Sequence, residues 1–64
     1  MVDDRITLAA RHVSEGQRIV AAQKDLIERL KVGGRDIAEA QRLLHAFEHS
    51  LAIFEDDLRR LEAS

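Results

Sequence analysis

The stretch Leu30-Lys31-Val32-Gly33-Gly34-Arg35-Asp36-Ile37 stands near the middle of a 64-residue chain, and its reading decides the fold. The adjacent glycines interrupt a seven-residue apolar repeat that runs through both flanks. Upstream, Ile6, Val13, Val20 and Ile27 form one row, with Val2, Ala9, Gly16, Gln23 and Leu30 in the next. Downstream, Ile37, Leu44, Leu51 and Leu58 form a row beside Ala40, Phe47, Phe54 and Leu61. A repeat of this period specifies helices that pack along a seam. No proline breaks either half, and a connection of about four residues forces neighbouring helices to run antiparallel. The expected fold is all-α: an antiparallel two-helix hairpin, or antiparallel coiled coil, forming one domain over residues 1–64.

Helix 1 is expected at about 3–32, the turn at 33–35 and helix 2 at about 36–62. Asp3 or Asp4 suits the cap of helix 1, where a carboxylate accepts orphan amide protons at the positive end of the dipole. Ser14-x-x-Gln17 imitates a later start, but Ile6, Ala9 and Val13 already keep the heptad phase upstream of it. Arg29 and Lys31 suit the helix's negative end, and Gly33 is the residue expected to turn left-handed there. Asp36, followed three residues later by Glu39, reads as the start of helix 2. Folding the chain at the glycines pairs Ile27 with Ala40, Val20 with Phe47, Gly16 with Leu51, Val13 with Phe54 and Ala9 with Leu58. Small residues repeatedly meet large ones, which is what close packing demands of facing helices.

Both helices carry apolar residues beyond this seam. Leu8, Ile19, Ala22 and Leu26 of helix 1 and Leu43, Ala46 and Ile53 of helix 2 fall on one edge of the hairpin. Such a stripe is too wide for an isolated helix pair, and chains this short seldom bury enough apolar surface alone. The edge is expected to be a dimer interface joining two hairpins in a four-helix bundle, with a heterologous helical partner as the other candidate.

Polar residues enter the same region. Gln23 takes a seam position where it either fixes register through a hydrogen bond or reaches water. His12 and Asp57 face each other across the apolar edge and suggest a rim hydrogen bond, with Ser50 two turns away. Ser50 is too distant from His12 for a nucleophile–base pair.

Composition excludes several classes of function. Without cysteine there is no disulfide and no thiolate zinc site. Charged residues make up 34% of the chain, yet the net charge is only −2 and the signs are interspersed. No apolar run approaches the roughly 18 residues of a membrane span, and no basic, apolar leader opens the chain, so a cytoplasmic chain without a membrane partner is expected. His45-Ala46-Phe47-Glu48-His49 matches H-x-x-E-H, a zinc-peptidase pattern, and places His45 and His49 on one helix face as weak metal candidates. A peptidase also needs a further ligand and a cleft, while Phe47 belongs to the seam. No cofactor and no enzymatic activity are expected.

Two resemblances bear on function. His12-Val13-x-x-Gly16, Val20-x-x-Gln23, Leu30, Gly34-x-Asp36, Leu43-Leu44-x-x-Phe47 and Ser50-Leu51 resemble a group of short, uncharacterised bacterial helical-hairpin proteins. That group implies a bacterial cytoplasmic setting and carries no activity; Phe54 departs from it, standing where a more polar residue or His is usual. In length and layout alone the chain is similar to the Rop-type plasmid copy-number regulators, dimeric four-helix bundles that bind RNA. That likeness implies an RNA surface at Arg11, Arg18, Lys24 and Lys31. Asp4, Asp25 and Glu28 interrupt this stripe, and the isoelectric point of about 5.8 speaks against nucleic acid. The leading expectation is a non-enzymatic helical module for protein–protein interaction that self-associates; the alternative is a dimeric RNA-binding regulator.

Overall fold

The structure, a computed structural model, describes residues 4–64 and resolves the heptad pattern into two helices, α1 (Asp4–Val32) and α2 (Ala38–Ala63). They pack against each other as a hairpin 52 Å long and 16 by 12 Å in section. Asp4 sits in the first turn of α1. Asp3, the alternative cap, and Val2 of the seam row lie outside the described residues.

The turn is a Schellman closure. The Arg35 amide donates to the Leu30 carbonyl at 2.9 Å, and the Gly34 amide to the Lys31 carbonyl at 3.0 Å. This pattern requires the left-handed residue to be Gly34, whose φ is 70°. Gly33, the expected left-handed residue, instead donates to Arg29 at 3.1 Å as the last helical amide. The connection is also longer at its far end, because α2 begins at Ala38. Asp36 Oδ1 accepts the Ala38 amide at 3.0 Å, so the carboxylate does cover a free donor of the first turn. Glu39 does not complete a capping box; it pairs with Arg42 at 2.7 Å.

Every described seam position is buried or half-buried. Val20 and Ile27, at 7% and 5% exposure, form the driest part with Ala40, and Ala9 is buried towards the open end. Two contacts fix the register. A methyl group added at Gly16 would lie 3.1 Å from Leu51 Cδ1 and 3.8 Å from Leu51 Cα, so the missing side chain lets the helices close together there. Gln23, itself buried, donates from Nε2 to the Ala40 carbonyl at 2.9 Å, bridging α1 to the first turn of α2. Of its two readings, the interhelical bond is the one the fold adopts. Among the described residues, every recorded ion pair is between neighbours on one helix, such as Arg29 with Asp25 at 2.7 Å. The close approach at Gly16 and the Gln23 amide both hold the helices in register.

These features separate residues that look alike in sequence. Gly34→Ala is expected to destabilise the hairpin by about 1–2 kcal/mol, the cost of a left-handed residue bearing a Cβ. Gly33→Ala meets nothing closer than 3.6 Å and should stabilise it by about 0.5–1 kcal/mol through reduced unfolded-state entropy. Opposite shifts of the urea midpoint would establish the assignment; shifts of the same sign would refute it. Gln23→Ala should cost about 1–3 kcal/mol, from the lost bond and the space left behind. Gln23→Leu should stay within about 1 kcal/mol of the parent, because the Ala40 carbonyl keeps its own helical bond. Urea titrations of the two variants check this ordering.

Candidate interaction surface

The heptad that buries the seam also decides what is left uncovered. Leu8, Leu26, Leu43 and Ile53 are 50%, 40%, 43% and 49% exposed, and Ala22 and Ala46 are exposed beside them. Ile19 is the exception on this edge, being half-buried. It walls a trough of about 210 Å³ at the middle of the hairpin, with Phe47, Ser50 and Phe54 opposite and Gly16 beneath. Leu51 packs against Gly16 at its floor, and the trough's surface is almost wholly apolar. A second, wider groove of about 390 Å³ follows towards the open end, where Arg5, Leu8, His12, Asp57 and Arg60 meet. Trough, groove and apolar residues therefore form one continuous edge.

His12 borders both depressions, but not in the way expected. Its ring lies on Phe54, with centroids 5.2 Å apart and planes inclined by 38°. Asp57 shares the outer groove with it, yet no hydrogen bond between the two is present among the described residues. Heptad spacing brought the pair to the same edge; the nearby aromatic face decides where the imidazole lies. Ser50 is exposed on the trough wall. Gln23 belongs to the seam rather than to this edge, as its bond to Ala40 requires. Sequence reasoning missed the ring contact and the meeting of Arg5, Asp57 and Arg60, because both depend on side-chain direction at the open end.

The candidate RNA stripe is fragmented. Arg18 donates to Glu15 through Nε at 3.3 Å and through a second guanidinium nitrogen. That hydrogen bond first, and the guanidinium charge second, hold the Glu15 carboxyl below its ordinary pKa. Lys31 pairs with Glu28 at 3.5 Å. Arg11 and Lys24 are exposed without an ion pair among the described residues. Two of the four cations thus carry a local counter-charge, which weakens attraction to phosphate.

His45 and His49 are exposed on α2, and His45 shares a groove with Lys24 and Lys31. Among the described residues, no group of three or more His, Cys, Asp or Glu side chains is placed to hold a metal ion. No described helix is long and apolar enough to cross a membrane. No protein-family model, curated protein or solved structure matches the chain.

Proposed function

We propose that this hairpin is a non-enzymatic protein–protein interaction module that self-associates, two copies pairing through the apolar edge as a four-helix bundle. One observation carries the reading. Four large aliphatic side chains stand 40–50% exposed along a single edge, while among the described residues no large side chain is fully buried. A chain that leaves its best core-forming residues half in water gains most by covering them. Another copy offers a surface of the same length and apolar character, and two-fold pairs are the commonest homo-oligomers. A regulatory role through such pairing fits a molecule whose edge is its main feature. The basic residues of α1 give the RNA alternative less support, since Arg18 and Lys31 are tied to Glu15 and Glu28.

Light scattering at tens of micromolar is the decisive measurement. The parent chain is expected at twice its 7.3 kDa mass. Leu43→Glu should shift it towards the monomer, weakening association by tenfold or more, because a carboxylate would replace an apolar contact in the interface. Val20→Glu serves as the contrast. It should abolish helicity as well as association, since Val20 is buried in the seam. A monomeric parent chain would overturn the proposal.

A further inference from the structure

We propose that His45 and His49 form a two-imidazole chelate for a late divalent transition metal, copper(II) ahead of nickel(II) and zinc(II), on the outer face of α2. The site is separate from the self-association proposed above and does not depend on it. Leu44, Phe47, Leu51 and Phe54 occupy the seam rows of the heptad, which puts positions 45 and 49 on the opposite side of the helix. Both histidines are exposed. They stand one turn apart, well inside a continuous helix that runs over Ala38–Ala63. Side chains at this spacing have Cβ atoms about 5–6 Å apart, so one ion can take a ring nitrogen from each at about 2.0–2.1 Å. Neither ring has a hydrogen bond, ion pair or ring contact among the described residues. Binding therefore breaks no existing interaction.

The surroundings leave room for an ion and its water. Ala46 and Ala52, three residues before and after His49, are short and exposed. Among the described residues no group of three or more His, Cys, Asp or Glu is placed to hold a metal, so the protein supplies two ligands and water completes the shell. Nearby charge acts in both directions. His45 shares a groove with the cations Lys24 and Lys31, of which Lys31 is paired with Glu28. That groove lies towards Gln41 and Leu44, whereas the ion sits on the other side of His45, towards His49. Glu48, three residues beyond His45 on the same face and exposed, adds a negative charge beside the ion.

The donor set decides which ions are taken. Imidazole suits copper, nickel and zinc, with copper(II) the tightest of the three, while magnesium and calcium prefer oxygen ligands. The chelate requires residues 45 to 49 to be helical, and an unfolded chain does not hold the two rings together. Bound metal therefore stabilises α2 by mass action. His45 and His49 lie outside both the seam and the apolar edge, so the metal clamps the helix without touching either.

Copper(II) alone is the probe, titrated into the full chain at fixed protein concentration. Calorimetry reads the binding and urea unfolding reads its effect on the fold. Free copper at a hundred times its Kd should raise the folding constant by up to about a hundredfold. Nickel(II) and zinc(II) should bind more weakly, and magnesium should have no effect. His45→Ala and His49→Ala should each weaken copper binding about tenfold or more, because one imidazole no longer holds the ion for the other. The double variant should bind little worse than either single one, and His12→Asn should leave binding unchanged. Glu48→Gln should weaken it only about two- to fivefold, through charge alone. Binding should be lost at about pH 5, where imidazole is protonated. No copper effect on the parent, undiminished binding in either single variant, or losses that add in the double variant would each overturn the chelate. Equal stabilisation by magnesium would do the same, and a Glu48→Gln loss as large as that of either histidine would replace two ligands by three. A monomer mass for the parent would overturn self-association and leave these outcomes unaffected.

Discussion

Two helices touch along a line, and a line of contact cannot surround a large side chain. Every other property of this molecule depends on that constraint. The residues best able to drive folding, Phe47, Phe54, Leu44, Leu51 and Leu58, reach only partial burial. Complete burial is approached where side chains are short or lie on the midline, at Ala9, Val20, Ile27 and Ala40. A third or fourth helix is the ordinary remedy, and the apolar edge lies where such helices would pack.

Within that constraint the register is held by a few specific features. Gly16 sets the closest approach of the helices, and the Gln23 bond ties the middle of α1 to the start of α2. The Schellman turn fixes the point of reversal. Slipping the helices by a turn would drive a side chain into the backbone at Gly16 and leave a buried amide without its acceptor, costing about 1–3 kcal/mol for the amide alone. The ion pairs stabilise individual helices and are indifferent to such a slip, since the recorded pairs join residues three or four apart. These recorded pairs thus add little to the register of the fold.

The division between what was legible in sequence and what was not follows the same lines. The seam positions were readable one by one, because a heptad repeat encodes helix face directly and all its described members are buried or half-buried. The exposed edge was readable for the same reason. The left-handed glycine was not: Gly33 and Gly34 have equal conformational freedom, and only the closing hydrogen bonds distinguish them. The start of α2 shifted because Asp36 covers the Ala38 amide from outside the helix. His12 was placed on the correct edge and shares its groove with Asp57, but the ring lies on Phe54 instead of bonding to the carboxylate, since spacing locates a Cβ and not the torsion beyond it. The trough is bounded by side chains of both helices, and periodicity does not show where such side chains leave a gap at the surface.

Ile19, Leu26 and Leu43 border both the seam and the proposed interface, and this has a thermodynamic consequence for the assembly. Covering them with a second copy strengthens apolar burial within each hairpin as well as between hairpins. Under the proposed pairing, folding and association would be linked by mass action, so the apparent stability of the hairpin would rise with protein concentration. A substitution on the edge acts on both equilibria, and its effect on stability at one concentration does not partition into a seam part and an interface part. A polar exchange at Ala22 or Ala46, which are exposed and contribute little to the seam, separates the two better than one at Leu26. In the proposed pair the interface would be an extension of the core, and the unit of stability would be the pair.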